Sequence, residues 1–227
     1  MNQPAQAILA EHHASLAAMV VKELRSLYPQ ADCTLDYQQP WQLMAAAILS
    51  AQCTDIRVNQ ITPALFAHYP TLEMLAAAEP ADLEPLIRSC GLFRAKARAI
   101  LGASRQLLEK YDGHMPDQIT ELVALPGVGR KIANLILGDA YGIPAIVVDT
   151  HCARISRLIG LTDHDDPPAI ERDLMNKVDR ADWIAYGHLM VAHGRSVCIA
   201  RKPLCGRCPL ASHCRYALGR SLKSLLS

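Results

Sequence analysis

Leu125-Pro126-Gly127-Val128-Gly129-Arg130-Lys131 joins two stretches that read as helices, Ile119 to Leu125 and Gly129 to Tyr141. Pro126 fixes one backbone angle, and the two glycines permit conformations closed to other residues. The chain therefore turns sharply and starts a new helix at about Gly129, with free amides at its tip. Such a tip can hold a phosphate, although an ordinary tight turn needs nothing more than this pattern. Arg130 and Lys131 add a second signal. The first turn of a helix prefers acids, because the helix dipole makes that end positive. Two cations there are unfavourable unless a polyanion lies nearby. An uncharged lysine amine is also a nucleophile that forms Schiff bases.

Eighteen residues after Lys131 comes Ile146-Val147-Val148-Asp149-Thr150-His151, an apolar extended run that ends in an acid where a helix begins. Asp149 reads as the cap of that helix. Capping is compatible with catalysis, because an ionised carboxylate can also stabilise positive charge developing on a sugar ring. His151 reads as structural.

The rest of the chain is helical in character. Ala and Leu abound while only 5% of the 227 residues are aromatic, a balance that favours helix over strand. Helices are expected at Ala7 to Arg25, Trp41 to Gln52, Asp55 to Phe66, Thr71 to Ala78, Ala81 to Ser89 and Phe93 to Tyr111. Others follow at Thr150 to Leu158, Pro168 to Val178 and Trp183 to Gly194. Ala145 to Val148 is extended but too short to build a sheet. No apolar run is long enough to span a bilayer. Met1 to Ala10 has no basic stretch ahead of an apolar one, so no secretory signal is expected and a cytoplasmic protein is.

The net charge of +1 argues at first against a nucleic-acid partner. Its distribution does not. Trp183 to Ser227 holds no acid but contains Arg195, Arg201, Lys202, Arg207, Arg215, Arg220 and Lys223. A second basic stretch holds Arg88, Arg94, Lys96, Arg98, Arg105 and Lys110 against Glu109 alone. Segregated charge can build a basic face on a nearly neutral protein, or merely a solvated surface.

Eight cysteines divide into two groups. Cys33, Cys53, Cys90 and Cys152 are scattered and read as small buried hydrophobes in a reducing compartment. Cys198, Cys205, Cys208 and Cys214 cluster, with spacing C-x6-C-x2-C-x5-C. Four thiolates so close converge on a metal centre or stay idle. Structural zinc usually takes two close pairs, and only one is present, so spacing leaves zinc and iron–sulfur both open.

In their order and spacing, these segments resemble the endonuclease III family of DNA glycosylases with a helix–hairpin–helix motif. The resemblance runs from about Leu35 to Arg215. It includes Leu49-Ser50-Ala51-Gln52-Cys53-Thr54-Asp55, Gly91-Leu92-Phe93-Arg94-Ala95-Lys96-Ala97, Leu125 to Asn134, Val148 to His151 and Cys198 to Cys214. It implies that Lys131 is the nucleophile, Asp149 the essential carboxylate, and the four cysteines the ligands of a [4Fe-4S] cluster. It implies that Gln52 fills the hole left by a flipped nucleotide and that Leu92 is a wedge on the opposite strand. Gly127, Gly129, Arg130, Arg201 and Lys202 are the further expected DNA contacts. The implied activity is bifunctional: removal of oxidised pyrimidines from duplex DNA, then cleavage at the abasic site by β-elimination. The partner is double-stranded DNA with damaged bases or abasic sites, met by a monomer with no membrane attachment.

An adenine glycosylase of the same fold would lack the hairpin lysine, carry an acid in place of Gln52 and add a C-terminal domain. A non-catalytic hairpin module would need neither Lys131 nor Asp149. Ile132 stands where the family often has Thr, and Cys152-Ala153 where a larger apolar pair is usual. The expected fold is all-α with two lobes. One is a six-helix bundle, residues 33–143, carrying the hairpin. The other is discontinuous, residues 1–32 and 144–227, carrying the cluster loop. Lys131 and Asp149 would face each other across a cleft between them.

Overall fold

The computed structural model describes residues 3–219; Arg220 and Lys223 of the basic C-terminal stretch lie outside them. The described residues form helices and loops, with no strand among them. The extended piece at 145–148 pairs with nothing as a sheet. It buries Ala145, Ile146 and Val148 instead. The chain divides into two compact units, Cys33–Ile143 and Met1–Asp32 with Pro144–Ser227.

The contiguous unit, Cys33–Ile143, is organised around α2 (Pro40–Leu49), a helix buried on every side from Trp41 to Leu49. A helix apolar all round belongs in the middle of a bundle. Pro40 starts it, and the Gln42 side chain accepts hydrogen bonds from the backbone amides of Gln38 (2.8 Å) and Gln39 (3.0 Å). Against it pack α3 (Asp55–His68) and α6 (Phe93–Tyr111), while α4 (Leu72–Ala77) and α5 (Pro80–Ile87) pack on α6. Thr54 and Thr71 cap α3 and α4 by accepting from the amides of Arg57 and Met74. Asp55 is the first helical residue of α3, next to the Thr54 cap. The inner face of α6 carries Ala97, Ile100, Leu101 and Leu107, at helical spacing. Each fully buried Leu or Ile there contributes roughly 1.5–3 kcal/mol.

After α7 (Ile119–Leu122) comes the hairpin, then α8 (Arg130–Leu135), which widens into a π-helical turn over Ile136–Ala140. The helix expected from Gly129 to Tyr141 is therefore present but changes its hydrogen-bonding step midway.

The discontinuous unit joins α1 (Gln3–Leu27) to α9 (Thr150–Ile159), α10 (Pro167–Met175) and α11 (Trp183–Ser196). Val20, Val21 and Leu24 of α1 share a core with Ile155 and Ile159 of α9, Ile170 and Leu174 of α10, and Tyr186, Leu189 and Met190 of α11. Cys198, Cys208 and Cys214 pack against the edge of this core. No helix among the described residues is long and apolar enough to cross a membrane.

Candidate functional site

The hairpin is fixed by packing. Gly127 has φ +77°, a conformation that side chains rarely adopt, and a Cβ there would lie 2.7 Å from the Ala99 Cβ of α6. The same Cβ would touch Ile48 of α2. Pro126 packs on α6 as well, against Gly102. Gly129 differs from the sequence expectation. It is the N-cap of α8 with ordinary extended backbone (φ −86°), and a Cβ there would meet nothing within 4 Å. Conformation therefore demands glycine at 127 and not at 129; what a side chain at 129 would occupy is open approach to the helix tip. Arg130 and Lys131 follow in the first turn, both exposed.

Two more expected residues sit on the same pair of helices. Gln52 lies just past the end of α2, exposed, with φ 54°. Leu92 is the N-cap of α6, with φ 60° and 61% of its surface exposed. Only Gln52, Leu92 and Asp112 are non-glycine residues with positive φ among those described. A left-handed backbone costs a side-chain-bearing residue roughly 1–2 kcal/mol. An apolar side chain held in water at that cost lacks a folding rationale, and strain of this kind gathers at functional positions. The expected helix over Trp41 to Gln52 stops at Leu49, before the chain turns left-handed at Gln52.

The two loops are tied together. Lys96, 5% exposed, donates from Nζ to the Leu49 carbonyl at 2.8 Å, joining the first turn of α6 to the last of α2. Three cations of the basic stretch 88–110 are engaged within the protein. Lys96 is a buried clamp, and Arg105 bonds the carbonyls of Ala76 (2.8 Å) and Ala78 (2.9 Å). Arg94 pairs with Glu84 at 3.7 Å.

Asp149 belongs to the discontinuous unit, Lys131 to the contiguous one. Asp149 is the N-cap of α9, half-buried, its Oδ1 accepting from the Cys152 amide at 2.7 Å. The cap uses one carboxylate oxygen. His151 packs tightly on Gly194 of α11, where any Cβ would run into its ring. That contact agrees with a structural role.

The four clustered cysteines line one apolar pocket together with Ile155, Leu158 and Leu210. The loop that carries them closes through Leu204 N–H to the Val197 carbonyl (3.0 Å) and Arg207 to the Ser196 carbonyl (3.0 Å). Arg207 is thus spent inside the loop, while Arg201 and Lys202 are exposed on it. Burial raises the Cys198 thiol, opposed by Arg154, and also raises the Cys208 thiol, opposed by a backbone hydrogen bond at Leu210. Thiols gathered in an apolar pocket accept negative charge readily only when a cation meets them, so this donor set fits an iron–sulfur centre. Two residues that the sequence did not single out support it. Arg154 donates to Cys198 Sγ (3.5 Å) and its carbonyl (2.8 Å). His193 lies 3.5 Å from Cys208 Sγ and 3.1 Å from the Tyr28 hydroxyl. Burial, then Arg154, pushes His193 down to about 4, so its ring is neutral. Neither residue stands at a motif spacing that could have revealed it.

Known proteins agree with this arrangement. Residues 45–180 match the HhH-GPD superfamily of base excision DNA repair proteins, and residues 198–214 match the iron–sulfur binding domain of endonuclease III. The chain is 51% identical to endonuclease III of Synechocystis sp. over 88% of its own length and 92% of the relative's. It is 41% identical to that of Bacillus subtilis over 90% and 94%. A solved endonuclease III, trapped as a covalent intermediate with DNA, superposes with a TM-score of 0.87 at 40% identity, covering 92% of this chain and 98% of the other. The chain belongs to the endonuclease III family and carries that family's iron–sulfur binding domain.

Proposed function

We propose that Lys131 is the nucleophile and Asp149 its carboxylate partner in this member of the endonuclease III family. As a family member the protein is a bifunctional DNA glycosylase and AP lyase for oxidised pyrimidines. One observation carries the residue assignments. A single pair of helices supports the proposed DNA-facing parts: Gln52 follows the end of α2, Leu92 caps α6, and the Lys131 hairpin seats Gly127 against Ile48 of α2 and Ala99 of α6.

A stacked base shields the reactive sugar carbon, so the nucleotide must leave the helix first. Gln52 fills the space it vacates and Leu92 wedges into the opposite strand. Hairpin amides at Gly127 and Gly129, with Arg130, hold one phosphate. Arg201 and Lys202 hold another, in a contact that weakens with salt. The everted nucleotide presents its sugar to Lys131 and Asp149. The uncharged Lys131 amine attacks C1′, the bond to the base breaks, and the base departs with a proton. Asp149 stabilises the positive charge that develops on the sugar ring. Ring opening leaves a Schiff base between Nζ and C1′. Loss of the C2′ proton then expels the 3′ phosphate. Cys198, Cys205, Cys208 and Cys214 hold a [4Fe-4S] cluster, which cross-links the loop and supplies no step of the reaction.

The partner is duplex DNA with damaged bases or abasic sites, met by one copy of the chain in the bacterial cytoplasm, where the chromosome lies. Asp149→Asn keeps an acceptor for the helix cap but removes the charge. Single-turnover release of thymine glycol should fall on the order of 10²–10³-fold, as when one electrostatic contact to a transition state is lost. Binding to undamaged duplex should stay the same. Wild-type release by this variant would remove Asp149 from the chemistry.

A further inference from the structure

Two thiols outside the cluster loop lie unexpectedly close. Cys53 follows Gln52 in the turn between α2 and α3. Cys90 precedes Leu92 by two residues, in the turn between α5 and α6. Their Sγ atoms are 3.7 Å apart. The sequence reading made both small buried hydrophobes, and Cys90 is fully buried, but Cys53 is only partly buried. The pair therefore has one thiol within reach of solvent and one shielded behind it. That asymmetry suits an attacking thiol and a resolving thiol.

We propose that Cys53 and Cys90 form a reversible disulfide by exchange with a low-molecular-weight disulfide, and that the bond locks the loops carrying Gln52 and Leu92. The Cys53 thiolate attacks one sulfur of the small disulfide, and a small thiol leaves. The Cys90 sulfur then attacks the mixed disulfide at Cys53, and the second small thiol leaves. The protein gives up two electrons and two protons, and the small disulfide takes them up as two thiols. Burial, then the Cys53 thiol, pushes the Cys90 thiol up to about 11, against Lys96 and Arg57. Exchange starts at Cys53, the more exposed of the two.

Bond formation brings the sulfurs from 3.7 Å to about 2.05 Å. Both cysteines sit in turns outside the helices, so the turns absorb the shift. Each turn contains a left-handed residue that the shift re-aims: Gln52 next to Cys53, and Leu92 two residues from Cys90. The effect on DNA cleavage rests on the reading of Gln52 and Leu92 as the residues that enter the stack. Formation of the bond does not.

The test uses the cluster-loaded protein, with its iron–sulfur absorbance followed throughout, equilibrated in glutathione buffers of rising disulfide fraction. Non-reducing peptide mapping should find a Cys53–Cys90 cross-link, two hydrogens lighter than the dithiol and reversed by dithiothreitol. Cys90→Ser should instead hold one glutathione on Cys53, and Cys53→Ser should give neither product. An uncross-linked pair at the most oxidising ratio, with the cluster intact, overturns the proposal. The oxidised protein should cut an abasic-site duplex more slowly by roughly tenfold to a hundredfold, the scale of an ångström-level misplacement. Dithiothreitol should restore the rate, and the double serine variant should ignore the oxidant. Full activity of the cross-linked protein overturns the locking step. Failure of the underlying reading looks different: Gln52→Ala and Leu92→Ala would then leave cleavage by the reduced protein unchanged.

Discussion

The hairpin at 125–131 and the cysteine loop at 198–214 are both irregular backbone, but different forces shape them. The hairpin is clamped by apolar packing: Gly127 lies on Ala99 and Ile48, and Pro126 on Gly102. The cysteine loop has little core of its own. Leu210 is its fully buried anchor, and its polar closures are Leu204 to Val197, Arg207 to Ser196 and Arg154 to Cys198. Regions with few buried apolar contacts open locally at low cost. A metal cross-link supplies what packing does not, because binding free energy at such sites is folding free energy. The lysine proposed as nucleophile therefore sits on a part held by apolar packing, and the iron–sulfur binding loop on a part that has little of it.

The comparison breaks most visibly at the cluster. Cys208→Ser should abolish the iron–sulfur absorbance. Amide exchange should then speed across 198–214, while protection in α2 and α6 persists. The salt dependence of DNA binding should lose the share of about one phosphate contact, as Arg201 and Lys202 come adrift. Protection lost equally in both units would contradict a division of labour.

The two hairpin glycines sharpen it. Gly127→Ala meets both a forbidden backbone angle and a close approach to Ala99, so urea unfolding should show a loss of about 2–4 kcal/mol. Gly129→Ala should cost under about 1 kcal/mol, since its backbone is ordinary and its surroundings are open. It should nevertheless weaken binding to duplex DNA. Equal stability losses at 127 and 129 would show that both glycines serve the fold.

Leu92 gives the smallest and most telling change. Leu92→Gly relieves the left-handed strain and removes an exposed apolar side chain. Stability should hold or rise by less than about 1 kcal/mol, while cleavage of damaged duplex falls. A variant that is less stable and fully active would make Leu92 a structural residue.

Much of this organisation could be read from residue order. The long helix Phe93–Tyr111 has the bounds that its composition suggested, and the Leu125–Lys131 hairpin lies between helices as its glycines and proline required. The misses share a cause, since each depends on tertiary surroundings that residue type does not encode. The helix expected to reach Gln52 stops at Leu49 and Gln52 itself turns left-handed, and glutamine gives no warning of that. The π turn at Ile136–Ala140 keeps the apolar character of a continuing α-helix. Lys96 and Arg105 looked like surface cations, yet both bond backbone carbonyls. The Cys53–Cys90 approach joins turns far apart in the chain. For the site, the cluster loop and the hairpin were legible because their chemistry fixes spacing. Arg154 and His193 were not, because a residue that supports a ligand can come from any helix that passes nearby.

The claim that a packed hairpin presents the nucleophile is tested most directly by borohydride reduction of the protein on a thymine-glycol duplex. The wild type should be trapped as a covalent DNA adduct, with the sugar remnant mapped by proteolysis to Lys131. Lys131→Ala should fold normally, keep its cluster and yield no adduct. An adduct in full yield from Lys131→Ala, or a remnant mapped to another lysine, would contradict the account.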